Sequence, residues 1–287
     1  MSLPFTTEQI KSVDFWRDFA PELTCSAQRL SVRELALSEE DLDAVSEGLW
    51  DEGYLALPPL YDESELAPVR VVMERLYQAG LPQVFVYLYD EVWTLFLRAQ
   101  PLLSRFLGER YRVLPHFWAW YIAPGKGRGW PPHRDSADQS VVDIAGLEML
   151  VSLTLWLPLT EATPHNGCMS VLPLDRERAA GGPFPDASQL PHQSVVALPA
   201  GPGALMGWRQ DLWHWGGASG PRAKAPRLSL SLEFQNGALD PLCEPLFDPA
   251  RPPAPQERLN LILKQFAKYG HIESIPEELV QLGKEKA

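Results

Sequence analysis

The spacing of hydrophobic and polar positions changes about a third of the way along the chain. Up to residue 107 the spacing is mostly helical. Ser38 followed by three acidic residues is typical of a helix start, and Gly53 is typical of the corresponding end. The pattern predicts helices over 38–52, 64–79 and 90–107, and a short strand over 53–57.

From residue 116 onward the pattern becomes that of short strands. Residues 227–234 (RLSLSLEF) alternate strictly between polar and apolar side chains, which is the period of an extended strand. Asn166-Gly167 predicts a hairpin turn between two strand-like runs. Further strands are predicted over 116–122, 150–157, 194–198 and 204–208, followed by a proline-rich connector over 240–255 and a helix over 256–269. Many short strands separated by turns favour a β-sandwich or barrel.

We therefore expect a mainly β protein with flanking helices, folded as a single domain over 1–287. Within it, 1–110 is expected to be mostly helical, 111–236 to form the β core, and 237–287 to form a connector and a helix. A chain of 287 residues with 45% hydrophobic and 22% charged residues is well suited to such a globular core.

Charge and cysteine content narrow the range of partners. The net charge of -12 disfavours binding to phosphate backbones, so no nucleic-acid partner is expected. No membrane association is expected either, because no apolar run reaches the roughly 18 residues of a spanning helix and the first twenty residues lack a signal-peptide core. The three cysteines (Cys25, Cys168 and Cys243) have no disulfide or metal-site spacing and are expected to be free thiols in a cytoplasmic protein.

The candidate metal ligands begin with His133-Arg134-Asp135, which follows a turn-rich stretch. Residues two apart on extended backbone point to the same side, so His133 and Asp135 can face one ion. A distant histidine completes a set of two imidazoles and one carboxylate, which leaves three adjacent positions open on a ferrous ion. His214 is that candidate, because small residues follow it and permit close approach. The alternatives are a surface His–Asp hydrogen bond and a packed His214.

Arg227 opens the alternating strand thirteen residues after His214. It shares a face with Ser229, Ser231 and Glu233, opposite the leucines. Alternation alone does not determine whether this face meets solvent or lines a polar barrel interior. In the second case, the planar guanidinium would bind a carboxylate bidentately.

The order of these motifs resembles that of the phytanoyl-CoA dioxygenase family, a branch of the iron(II)/2-oxoglutarate oxygenases. The resemblance extends from about residue 37 to residue 234. It rests on the segments LSEEDL (37–42), DEGYLALP (51–58), PHRD (132–135), LWLPLTEATPHNGCMSVLP (155–173), 208–217, and PRLSL (226–230).

The resemblance implies a double-stranded β-helix core, also called a jelly roll and similar to cupins. It also implies bound Fe(II), with 2-oxoglutarate and O2 as co-substrates, and hydroxylation of a small molecule with release of succinate and CO2. In this interpretation His133, Asp135 and His214 hold the iron. Arg227 pairs with the far carboxylate of 2-oxoglutarate. Thr154 and Trp156 resemble positions near the co-substrate, although both residue types also suit the core of a sheet.

The chain departs from the family pattern at two places. His165 stands where an acidic residue is common, and the interval from His214 to Arg227 is longer than usual. Arg222 is therefore a rival for the co-substrate carboxylate, but Arg227 is preferred because it begins a strand. Asp135 is present, whereas related halogenases carry a small residue there, so hydroxylation or a similar oxidation is expected.

Two other functions stay open at this point. The barrel could be a non-catalytic binding or sensor module, or a cupin-like enzyme that uses a metal without 2-oxoglutarate. Lys126 and Arg128, on the loop before the metal motif, would either meet an anionic substrate or remain solvated. An aromatic-lined cavity is suggested by Trp118, Trp120, Trp130, Trp213 and Trp215.

Overall fold

The computed structural model describes residues 3–286. The α-helices are α1 (Thr7–Lys11), α2 (Val13–Phe19), α3 (Glu39–Asp51), α4 (Glu63–Gln78), α5 (Asp90–Leu97), α6 (Gln100–Leu107), α7 (Leu174–Ala179), α8 (Pro255–Tyr269) and α9 (Glu277–Lys284). The strands are β1 (Tyr54–Leu57), β2 (Arg112–Ile122), β3 (Val141–Ile144), β4 (Leu147–Leu150), β5 (Ser152–Pro158), β6 (Met169–Leu172), β7 (Val196–Leu198), β8 (Leu205–Arg209), β9 (Trp213–Gly216) and β10 (Arg227–Gln235). Short 3₁₀ helices lie at Gln83–Leu88, Ala187–Gln189 and His192–Ser194.

The chain divides into two compact units, each assembled from separated stretches of sequence. The helical unit lies within residues 3–33, 63–98 and 247–286, and the barrel unit within residues 34–62 and 99–246. The expectation that the whole chain is one domain stays a prediction. Among the described residues, no helix is long and apolar enough to cross a membrane.

The helical unit is held together by an aromatic stack and a buried ion pair. The rings of Trp16 and Phe85 stack with centroids 4.3 Å apart, and Phe266 of α8 contacts Phe85 edge-on at 5.4 Å. Arg258 of α8 is fully buried and binds Asp90 at 2.6 Å. Its guanidinium also donates to three backbone carbonyls at 2.6–3.0 Å, those of Ser26, Leu88 and Pro253. The last long helix is therefore tied to segments synthesised much earlier.

The barrel unit contains the two principal sheets, and all their strand pairs are antiparallel. One sheet has the order β1-β8-β5-β10-β2, and the other has the order β7-β6-β9. Side chains from both sheets, including Trp156, Trp208 and Val171, pack into one buried cluster between them. This arrangement is the expected double-stranded β-helix.

Both faces of β10 are largely buried, which the alternation of polar and apolar residues alone could not predict. The leucines at 228, 230 and 232 are at most 1% exposed, and α6 packs near β5 and β10. Arg227, Ser229 and Glu233 on the opposite face are also buried, at 1%, 0% and 7% exposure. The polar face therefore lines the barrel interior, with partial solvent exposure at Ser231.

The predicted start of α3 is confirmed in detail. The Ser38 hydroxyl accepts from the backbone N–H of Asp41 at 3.1 Å, and the Asp41 carboxylate accepts from the backbone N–H of Ser38 at 2.8 Å. The helix ends before Gly53, whose φ of +89° suits a residue without a side chain.

Two predictions of local structure were wrong. The helix expected over 90–107 is two helices, because Pro101 lacks the N–H that would bond to Leu97 and its ring would clash with that carbonyl. Asn166-Gly167 does form a turn, with Gly167 at φ +85°, but it joins strands of different sheets and is not a hairpin. The β3–β4 hairpin, with Ala145-Gly146 at its tip, was not predicted.

Candidate metal centre

The two candidate histidines are brought together by a backbone pairing beside the smaller sheet. His133 N–H donates to His214 O at 3.1 Å, and His214 N–H donates to His133 O at 2.9 Å. Trp130 N–H donates to Gly216 O at 2.9 Å, so residues 130–133 run antiparallel to β9. The ring centroids of the two histidines consequently lie 4.2 Å apart.

Asp135 completes a compact set of three donors. Its Oδ1 lies 3.7 Å from His133 Nε2 and 3.8 Å from His214 Nε2. One ligand atom from each of the three side chains fits within 4.8 Å of the others. His214 is buried, whereas His133 and Asp135 are partly open to solvent. Two imidazole nitrogens and one carboxylate oxygen therefore converge at a point that small molecules can reach.

Each histidine is oriented by the carbonyl two residues before it. His133 Nδ1 lies 2.9 Å from Pro131 O, and His214 Nδ1 lies 3.0 Å from Leu212 O. A carbonyl only accepts, so each Nδ1 carries a proton and each Nε2 is directed toward Asp135. Burial lowers the pKa of His214 to about 4, although the Asp135 carboxylate acts in the opposite direction. The neutral form, which binds metals, is therefore favoured.

Thr154 and Trp208 support this cluster from the larger sheet. The Thr154 hydroxyl donates to Asp135 Oδ2 at 2.9 Å, which leaves Oδ1 available for a cation. The indole of Trp208 packs against the His214 ring at an interplanar angle of 35°, with centroids 4.5 Å apart. Thr154 and Trp208 are paired across β5 and β8, so one sheet position fixes both contacts.

The middle residue of the His-x-Asp motif points the other way, into a separate anchor. Arg134 forms an ion pair with the buried Glu177 of α7, and its guanidinium lies 5.1 Å from the centre of the Trp213 ring. Glu177 also accepts from Phe184 N–H at 2.8 Å. This anchor holds the extended conformation that points His133 and Asp135 to one side.

Arg227 lies on the same interior face of the larger sheet as Thr154. It is 1% exposed, donates to Ser229 Oγ at 2.8 Å, and lies 5.7 Å from the centre of the Trp156 ring. A side chain at Gly216 would begin 3.1 Å from Arg227 Nη2, so glycine there gives the guanidinium its space. Arg222, the rival from sequence, is exposed in the preceding turn.

Several indole N–H groups on this interior face have no hydrogen-bond partner within residues 3–286. They belong to Trp120, Trp156 and Trp208, and all three nitrogens are buried. Trp118 and Trp120 both contact the Trp130 ring, with centroids 5.9 and 5.8 Å away. Trp120 also packs against the buried cluster that contains Trp156 and Trp208, so it connects the two groups of indoles.

Other residues singled out from the sequence lie elsewhere. Trp213 and Trp215 pack with Leu172 on the outer side of β9, so they do not line the suggested cavity. Lys126 and Arg128 are exposed on their loop. Sequence reasoning missed the pair formed by His116 and Glu233, described below, because nothing in the alternating pattern shows what faces Glu233.

The middle of the chain matches a known protein family. Residues 83–225 match the model described as phytanoyl-CoA dioxygenase (PhyH), a span that contains all three candidate ligands and ends just before Arg227. The chain belongs to the PhyH-like family of iron(II)/2-oxoglutarate oxygenases. No curated protein matches this PhyH-like chain in sequence.

Solved structures share the fold of the PhyH-like chain at low sequence identity. SnoK, a non-heme α-ketoglutarate-dependent carbocyclase from nogalamycin biosynthesis, is 19% identical over 76% of this chain and 100% of its own, with a TM-score of 0.54. SnoN, an epimerase from the same biosynthesis, is 20% identical over 69% and 82%, with a TM-score of 0.51. EctD from S. alaskensis, solved with 2-oxoglutarate and 5-hydroxyectoine, is 18% identical over 75% and 82%, with a TM-score of 0.51. At such identities the likeness concerns the fold.

Proposed function

We propose that this chain is an Fe(II)- and 2-oxoglutarate-dependent dioxygenase that hydroxylates a small molecule and releases succinate and CO2. The observation that carries the proposal is the convergence of His133 Nε2, Asp135 Oδ1 and His214 Nε2 in the barrel that also buries Arg227. The family match supports an oxygenase that depends on Fe(II) and 2-oxoglutarate. Free cysteines at 25, 168 and 243 agree with a cytoplasmic setting.

The donor set is suited to ferrous iron. Two neutral imidazoles and one carboxylate form the facial arrangement that leaves adjacent positions open for co-substrate and O2. His133, Asp135 and His214 would hold the ion, and Thr154 would keep the Asp135 carboxylate turned toward it through the bond to Oδ2. When bound, iron and 2-oxoglutarate supply the oxidation of an unactivated C–H bond, and the protein supplies orientation and exclusion of water.

Arg227 would pair with the carboxylate of 2-oxoglutarate that is remote from the metal. A buried guanidinium binds a carboxylate strongly because few water molecules compete for its donors. Ser229 fixes its orientation, and the unpartnered N–H of Trp156 is a further donor close to it. Thr154 therefore acts on the metal side of the co-substrate, and Trp156 acts on the Arg227 side.

Hydroxylation is proposed over halogenation because Asp135 keeps the carboxylate ligand that halogenation requires to be absent. EctD was solved with the hydroxylated compound 5-hydroxyectoine, whereas SnoN and SnoK are an epimerase and a carbocyclase. Product mass distinguishes these outcomes. Hydroxylation adds one oxygen, epimerisation leaves the mass unchanged, and ring closure by C–H oxidation removes two hydrogens.

The cofactor assignment is tested by adding Fe(II) and then 2-oxoglutarate to anaerobic protein and recording the iron-to-2-oxoglutarate charge-transfer band. We expect the band in the wild type and its loss in Asp135→Ala. In Arg227→Ala, half-saturation should need at least about thirtyfold more 2-oxoglutarate, since truncating a buried charged partner costs 2–5 kcal/mol. Arg222→Ala is the matched control and should titrate like the wild type.

Two results would contradict the proposal. A wild type that binds Fe(II) without any band would favour a metal-dependent cupin-like enzyme or a sensor. A band weakened by Arg222→Ala and unaffected by Arg227→Ala would transfer the carboxylate-binding role to the exposed loop.

A further inference from the structure

A histidine–carboxylate pair lies inside the barrel beside the candidate metal centre. His116 Nδ1 of β2 lies 2.7 Å from Glu233 Oε2 of β10. The Glu233 side chain is 9% exposed and that of His116 is 27% exposed, so the carboxylate is largely buried and the imidazole is partly open to solvent. Neither residue belongs to the metal ligands or to the Arg227 end of the strand.

Strand register places this pair next to the metal ligands. Glu233 is directly opposite Thr154 in the β10–β5 pairing, and Thr154 is bonded to Asp135. Directly paired residues project to the same face, with Cβ atoms about 5 Å apart. Arg227 lies six residues earlier on the same strand and face. The candidate metal centre is therefore flanked by Arg227 toward one end of β10 and by Glu233 toward the other.

Aromatic rings also lie between the His116–Glu233 pair and the candidate metal centre, on the side of β2. Trp118 is directly opposite Ser231 in the β10–β2 pairing, one step along the interior face from Glu233. The Trp130 ring lies 5.9 Å from that of Trp118 and 6.3 Å from that of His133. A molecule held against Trp118 and Glu233 would thus lie beside His133 and Asp135.

The carboxylate of Glu233 is not balanced by a strong cation of the protein. Among residues 3–286, His116 is its sole basic partner, and no Lys or Arg lies within ion-pair distance. A neutral imidazole donates such a hydrogen bond as well as a charged one, so the contact does not require a cation at His116. Burying an unbalanced carboxylate is unfavourable, and a cation that enters the barrel relieves that cost.

We propose that Glu233, with the Trp118 ring beside it, binds a positively charged amine of the primary substrate. This inference rests on the proposed function, because it assigns a substrate class to the same barrel. Aromatic faces and a carboxylate together attract ammonium groups, quaternary ones included. The net charge of -12 also favours the approach of cationic molecules.

The test uses two probes of nearly identical shape, choline and 3,3-dimethyl-1-butanol, which differ by one positive charge. Each is titrated into anaerobic protein loaded with Fe(II) and 2-oxoglutarate, and binding is followed by quenching of tryptophan fluorescence. We expect the wild type to bind choline about tenfold more tightly than the neutral alcohol. Glu233→Gln should bind the two probes equally. Glu109→Gln, which removes an exposed carboxylate from the turn before β2, should keep the preference.

A further variant separates recognition from a structural role. His116→Gln keeps a donor for Glu233 and leaves its carboxylate in place, so it should keep the preference for choline. If the pair is purely structural, both Glu233→Gln and His116→Gln should lower the thermal midpoint, and neither should change the ratio of the affinities for the two probes.

Three outcomes would overturn the inference: equal affinity of the wild type for the two probes, no binding of either probe, or a preference that survives Glu233→Gln. The first two use only wild-type protein and hold even if a variant fails to fold. The charge-transfer band, recorded in the same samples, reports separately on the proposed function. If the wild type shows the band but binds both probes equally, only the proposed amine site is rejected. If the wild type shows no band, the proposed cofactors are rejected.

Discussion

At the scale of single residues, each candidate ligand is held by one group that does not itself face the ion. The two histidines use the same local device, a carbonyl two positions earlier, and Asp135 uses the Thr154 hydroxyl. Because these partners are fixed by extended backbone and by β5, the donor atoms are oriented before any cation arrives. Such preorganisation lowers the entropy cost of binding.

The buried imidazole of His214 predicts a pH dependence of stability in the metal-free protein. Its pKa is about 4 in the folded chain and near 6.5 when unfolded. Between these values the unfolded state binds the extra proton, so the free energy of unfolding decreases as the pH falls from 6.5 toward 4. From pH 6.5 to pH 5 we expect His214 to contribute a loss of about 2 kcal/mol.

Urea denaturation at several pH values in the presence of a chelator measures this slope. His214→Gln, which cannot take up a proton, should show a shallower dependence over the same range. An equally steep dependence in that variant would assign the effect to other groups.

At the scale of secondary-structure elements, β9 and β10 are matched to each other through one small residue. Gly216 ends β9 where the Arg227 guanidinium lies, so a methyl group there would begin 3.1 Å from Nη2. We expect Gly216→Ala to displace the guanidinium and to weaken 2-oxoglutarate binding about tenfold, while metal binding stays near the wild-type value. Titrations of the charge-transfer band and competition with a metal chelator measure the two affinities separately.

The control is Gly220→Ala in the loop that follows. There the added methyl group meets its nearest atom at an ordinary 3.6 Å, so both affinities should be unchanged. An equal loss of metal and co-substrate affinity in Gly216→Ala would mean that the strand itself has moved.

The elements with strong local signals could be predicted from the sequence. Ser38 and its acidic neighbours specify the start of α3, and alternation specifies β10. The four residues of β9 carry too short a pattern to predict a strand, although they contain His214. The buried polar face of β10 was also beyond prediction, because alternation gives two faces and only packing determines which one meets the barrel interior.

The candidate site was predictable to a similar extent. The His-x-Asp motif, the distal histidine and the arginine were all named from order and spacing. The partners that orient them, Thr154 toward Asp135 and Glu177 toward Arg134, come from strand register and from α7, which no local pattern specifies.

At the scale of the whole molecule, the helical unit depends on one buried charge pair that joins distant stretches of chain. Replacing Arg258 by Met leaves the Asp90 carboxylate buried without its cation, which we expect to lower the free energy of unfolding by about 3–5 kcal/mol. Chemical denaturation followed by circular dichroism measures the change.

Lys11→Met is the matched control, because it removes an exposed ion pair with Glu8 and should change stability by less than about 1 kcal/mol. A similarly small loss in Arg258→Met would show that the interior relaxes around the lone carboxylate.

The same charge pair also sets an order of events during synthesis. Arg258 leaves the ribosome 168 residues after Asp90, an interval of roughly ten to thirty seconds at ordinary rates of translation. The barrel unit, encoded by residues 34–62 and 99–246, has been synthesised through β10 before α8 exists. Most of the barrel unit is thus synthesised after the first two stretches of the helical unit and before its last stretch. Until α8 is made, the apolar surfaces that it covers on those earlier helices stay exposed, and we expect a chaperone to be able to bind them.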